Sequence, residues 1–167
     1  MKTIAATLGL AAFVALLYFR ALGHGLVLDD AAVVGVGADP RLWRALNVAV
    51  HFGVAILAGA LAARLVGRHA RWPAAFLVAA HPLATGAVTY IAGREDALGA
   101  ALFLGALVVF LDQRARPSAA RAAAVVALGG AAAIASPFAV ALPVVCALVD
   151  VAYGGVRGAA RRVPLLA

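Results

Sequence analysis

Six apolar runs in quick succession constrain this chain more than any single motif. They are Thr3–Leu22, Trp43–Val66, Trp72–Ala92, Ala97–Leu111, Ala122–Ala135 and Phe138–Tyr153. A bilayer interior admits only helices or closed barrels, because every backbone polar group must find its partner within the protein. The runs lack the strict alternation of barrel strands, so each is predicted helical. A helix of about 20 residues crosses the hydrocarbon core. The chain is therefore expected to be all-α, a polytopic membrane bundle of about six transmembrane helices forming a single transmembrane domain over 1–167. Hydrophobic residues make up 66% and charged residues 13%, against roughly 45–50% and 25% in ordinary soluble domains. With mean hydropathy at +1.04, a soluble globule is excluded. The fourth and fifth runs are short for a crossing and need flanking residues, or shelter inside the bundle.

Met1-Lys2 followed by apolar residues resembles a secretory leader, but the run exceeds a usual signal core and no small-x-small site precedes His24. It is expected to be a retained helix. Heavy Ala, Gly, Val and Arg usage suggests a GC-rich bacterial genome, hence a bacterial inner membrane. Cys146 is the single cysteine, so no intrachain disulfide can form.

Charge placement fixes an expected orientation. With the N-terminus cytoplasmic and the runs alternating, Lys2, Arg64, Arg68, Arg71, Arg114, Arg116, Arg121, Arg157, Arg161 and Arg162 lie inside, ten of the fourteen basic residues. Asp29, Asp30, Asp39, Glu95 and Asp96 lie outside, and only Asp112 and Asp150 inside. This is the positive-inside pattern. The net charge of +7 is thus a topology signal. Anionic lipid headgroups are the expected partners of the inner arginines, and no aromatic-interleaved basic patch argues for nucleic acid.

The same alternation gathers the chemistry-bearing residues at the outer face. Asp29 and Asp30 follow the first run directly, where a carboxylate suits work on a lipid-linked substrate; a solvated acidic loop is the plainer alternative. Asn47 and His51 are four apart and share one face of the second helix, either as an interhelical hydrogen bond or as the wall of a wet cavity. Pro82 has no N–H and its ring crowds the carbonyl of Val78, so the third run should kink or break there. His81, just before it, either bonds a carbonyl freed by the kink or contacts substrate. Thr85 and Thr89 are expected to bond back to their own helix. Glu95 and Asp96 suit a helix start. Arg94 beside them suits a phosphate, which its fork geometry can bind in a bidentate manner. Gly129-Gly130 fits close helix packing. No metal-ligand spacing, nucleophile elbow or phosphate-cradling glycine loop is present.

His81-Pro82-Leu83-Ala84-Thr85-Gly86-Ala87-Val88, followed by Ile91-Ala92-Gly93-Arg94-Glu95-Asp96, resembles the membrane part of the tetratricopeptide-repeat O-mannosyltransferases and their bacterial relatives, within the GT-C class of glycosyltransferases. Leu28-Asp29-Asp30, Asn47 with His51, and Leu142-Pro143 with Asp150 extend the resemblance in matching order. It implies transfer of a sugar, a hexose such as mannose, from a polyprenyl-phosphate donor to an acceptor hydroxyl on the outer face. Asp29 or Asp30 would be the catalytic carboxylate, as general base or in helping to hold a divalent metal; no other cofactor is implied. Arg94 would hold the donor phosphate, with Glu95 and Asp96 orienting it and Asn47, His51 and His81 in support. The chain departs from the pattern at Arg44, where His is common, at Ala84 and Gly86, where His and Glu are usual, and at Ser136-Pro137 in place of Lys-Glu. The resemblance also implies further helices, and the ending from Arg161 looks like the start of a seventh. The expectation is the N-terminal part of a longer transferase, partnered by its remaining helices; the alternative is a non-catalytic membrane subunit for assembly or lipid binding.

Overall fold

The computed structural model describes residues 2–24, 30 and 39–160, with side chains between 3 and 153. All regular structure among them is helical. Helix α1, Lys2–Tyr18, runs into a 3₁₀ turn at Phe19–Gly23. Helix α2, Pro40–Leu65, starts on Asp39, whose carboxylate accepts from the Arg41 N–H at 2.9 Å, with Pro40 in the first turn. A proline there forgoes only an N–H that has no helical partner, and the Asp cap satisfies another. Gly67, at φ +130°, reverses the chain after α2, a conformation that costs glycine nothing. A 3₁₀ turn at Arg68–Ala70 then leads to α3, Arg71–Ala79, which is followed by α4, Ala84–Thr89, and α5, Arg94–Ala115. Helix α6, Ala119–Ala135, is capped by the Ser118 hydroxyl. A 3₁₀ turn at Pro137–Ala141 opens into α7, Leu142–Ala160.

Helix α2 is the axis of the bundle and touches α1, α3, α4 and α5; α6 packs along α5. The buried stripe of α2 is Arg44, Asn47, His51, Ala55, Gly59 and Ala60, one face of a helix. Its outer half is polar and its inner half is small. Gly59 permits the closest approach, since a Cβ there would lie 2.5 Å from the Arg71 carbonyl oxygen. Leu10, Val14 and Tyr18 of α1 meet Ala55, Ala75, Ala79 and Val88 in one core; Ala106, Leu107, Phe110, Leu142 and Cys146 make a second between α5 and α7.

Two helical stretches, Thr3–Gly23 and Pro40–Leu65, are long and apolar enough to cross a membrane. Only 22% and 28% of their apolar windows are buried inside the protein, so most of that surface faces outward, as with Leu16 and Ile4. The remaining runs depart from six uniform spanning helices. The third is divided into α3 and α4. Polar residues at both ends lengthen the fourth into the 22 residues of α5. The fifth is the 17-residue α6, about 25 Å at 1.5 Å per residue and short of a 30 Å core. The sixth begins as a 3₁₀ turn.

The end of the bundle where α2 finishes is tied by charge. Arg64 of α2 meets Asp112 of α5 in a two-pronged pair, with both contacts at 2.9 Å. Arg114 of α5 bonds Asp150 of α7 and lies over the Tyr153 ring, whose hydroxyl donates to the Leu65 carbonyl at 2.8 Å.

Candidate functional site

The interruption between α3 and α5 organises the opposite end. The helical ladder stops at Ala79, as Pro82 demands. The Leu83 N–H, which in a continuous helix would reach the Ala79 carbonyl, instead donates to His81 Nδ1 at 3.3 Å. The carbonyl thus freed is taken by His51, whose Nε2 lies 3.2 Å away and must carry the proton to donate. His81 therefore bonds an N–H, and it is His51 that bonds the carbonyl released by the break. Thr89 does bond back to the Thr85 carbonyl, at 2.7 Å.

A second exchange follows α4. Asn47 Nδ2 donates to the carbonyls of Val88 and Tyr90, at 3.4 and 3.2 Å. Arg44 Nε donates to the Thr89 carbonyl at 3.2 Å, and its Nη1 to that of His24. Asp30 Oδ1 accepts from the N–H groups of Ile91 and Ala92, at 2.9 and 3.2 Å. Three carbonyls and two N–H groups that leave the helical pattern between 88 and 92 are thus met by three side chains. Asp30 Oδ2 and Arg44 Nη2 then face each other at 3.5 Å, both fully buried. Buried backbone groups need such partners, and buried charges need each other. Asp29 lies outside the described residues.

Arg94 and Asp96 begin α5 two residues apart, so they leave it on different sides. The Arg94 guanidinium lies 4.4 Å from the centroid of the Trp43 ring, and its Nη1 is buried without a hydrogen-bond partner among the described residues. Trp43 braces Arg94; neither Glu95 nor Asp96 pairs with it among the described residues. Glu95 is exposed. Asp96 turns the other way, and its Oδ1 accepts from the buried Ser136 hydroxyl at 2.8 Å. Ser136 can come this close because Gly99 stands one turn below; a Cβ there would lie 2.6 Å from the Ser136 Cβ.

Asp96, His51, His81 and Phe138 help to line a cavity of about 450 Å³ between the broken segment and α5. The described residues include no group of three His, Cys, Asp or Glu able to hold a metal ion. Arg44, Trp43 and Ser136 join the site without having been singled out in the sequence. Arg44 was signalled: with Asn47 and His51 it forms a 44, 47, 51 stripe on one helix face. Ser136 and Trp43 carried no signal, because their partners come from distant segments. No protein-family model, curated protein or solved structure matches this chain.

Proposed function

We propose that the chain is a polytopic membrane protein of the GT-C type, with its six runs crossing a bacterial inner membrane and its N-terminus in the cytoplasm. On this reading it holds a polyprenyl-phosphate sugar at the outer end of the bundle for transfer to an acceptor hydroxyl. The observation that carries the proposal is Arg94. A guanidinium braced on an aromatic face, with a buried Nη1 that lacks an acceptor among the described residues, is suited to a phosphate oxygen. As the polyprenyl phosphate leaves, the same group would stabilise its growing charge. Both oxygens of Asp30 are engaged by the fold, so the base role passes to Asp29.

Binding of undecaprenyl phosphate to the protein in lipid nanodiscs tests the proposal. Arg94→Gln should weaken binding about 10-fold or more, the loss expected for a charge-assisted contact, and Arg94→Lys should restore part of it. Equal affinity in wild type and Arg94→Gln would overturn the reading. The engagement of Asp30 favours a second reading, a membrane subunit that binds the lipid phosphate without catalysing transfer; it predicts the same binding with no turnover.

A further inference from the structure

We propose that the cavity walled by Asp96, His51, His81 and Phe138 is a glycosyl-binding site, in which the Asp96 carboxylate accepts hydrogen bonds from sugar hydroxyls. The proposal rests on the lipid-linked donor reading above and assigns the sugar a place apart from its phosphate. At about 450 Å³, the cavity lies within the roughly 300–1,000 Å³ of small-molecule sites, which are mostly apolar with a few placed polar groups. Its lining has that character. Val54, Val78, Leu83 and Phe138 supply the apolar surface.

The polar groups select among occupants. A phosphate is repelled by Asp96, because the cavity lining holds no lysine or arginine. A bare hydrocarbon chain would take water from Asp96 and return no hydrogen bond, a costly burial. A ring with hydroxyls at its rim and C–H groups on its faces satisfies both kinds of wall. Oδ1 of Asp96 already accepts from Ser136, which holds the carboxylate in one orientation and leaves Oδ2 for a hydroxyl. His81 Nδ1 accepts from the Leu83 N–H, so the neutral ring carries its proton on Nε2, a donor for a second oxygen. Arg94 leaves the same helical turn on the Trp43 side, so phosphate and sugar would be held on different sides of the α5 start.

The test compares binding of undecaprenyl phosphate and undecaprenyl phosphate mannose to the full chain in lipid nanodiscs. Wild type should prefer the mannosylated lipid. Asp96→Asn should reduce that preference by about 10- to 100-fold, the range for a hydrogen bond to a charged group, without weakening binding of the bare lipid phosphate, from which it removes a repelling charge. Ser136→Ala should give a smaller loss in the same direction. Ala84→Phe, which adds bulk to the cavity from α4 and keeps the Asp96 carboxylate, should remove the preference even if Asp96→Asn fails to fold. A preference that survives in Asp96→Asn or Ala84→Phe overturns the proposal and leaves lipid-phosphate binding standing, as does equal affinity of wild type for both lipids. Failure of wild type to bind either lipid overturns the donor reading itself, and this proposal with it.

Discussion

Asp30 Oδ2 lies 3.5 Å from Arg44 Nη2 with both side chains sealed from solvent, and each residue also bonds the backbone of one five-residue stretch. The carboxylate takes N–H groups and the guanidinium takes a carbonyl, so the pair replaces helical bonds that the 88–92 backbone does not make. Neither charge stands alone, and removing either takes a charge partner from the other in a buried setting.

Removing either charge should therefore be expensive. Asp30→Asn or Arg44→Gln alone should each destabilise the folded protein by about 3–5 kcal/mol, as for one partner of a buried pair. The double variant should lose less than the sum, giving a clear coupling energy. Thermal unfolding of the four proteins in one detergent measures it, and additive losses would show that the two groups act separately.

The two neighbouring aspartates should separate by phenotype. Asp29→Asn should lower transfer by roughly 10²–10⁴-fold, the usual contribution of a general base, with the melting temperature unchanged. Asp30→Asn should lose stability first and transfer only as a consequence. Full transfer in Asp29→Asn would overturn the catalytic assignment to that residue.

Orientation is open to direct chemistry. In a Cys146→Ala background, Ser118→Cys should resist an impermeant reagent applied to the outer face, while Glu95→Cys should react with it. The reverse pattern would invert the proposed topology.

The inner pair predicts a pH dependence. Hydrogen bonding by the Arg64 guanidinium, more than any other influence, holds the Asp112 carboxyl below its usual range. A depressed folded-state value means that the stabilisation is present above the ordinary carboxylate value, about pH 4, and fades as pH falls through the lower folded value. Asp112→Asn should therefore melt below wild type at pH 7 and alongside it in strong acid. The carboxylate is 47% exposed, so the difference should stay under about 1 kcal/mol. A gap that persists in acid would assign it to packing.

Much of the bundle was legible in the order of apolar runs, since burial in lipid or protein demands them and Pro82 forces one break. Asn47 and His51 were legible as an inward-facing pair because their spacing is helical. Three features were hidden for a common reason. Asp30 looked like a loop carboxylate, because only the folded backbone at 91 and 92 turns it inward. Arg44 entered only as a departure from the family pattern, although its spacing places it on the face of Asn47 and His51. The length of α5 was hidden because Arg94, Glu95 and Asp96 at one end, and Asp112, Gln113 and Arg114 at the other, continue the helix while ending the apolar pattern. Hydropathy reports where apolar surface lies; it says nothing of which polar group meets which carbonyl.

The divided third run has a consequence for how such a chain assembles. Helices α1 and α2 satisfy their own backbones and can exist in a bilayer before anything else is in place. The stretch from Ala79 to Ala92 does not, because the carbonyls at 79, 88 and 89 find donors on α2. In hydrocarbon each such group left bare costs several kcal/mol. The order of synthesis is therefore also an order of dependence: the second helix is a template, and the broken segment completes its backbone hydrogen bonds only against it.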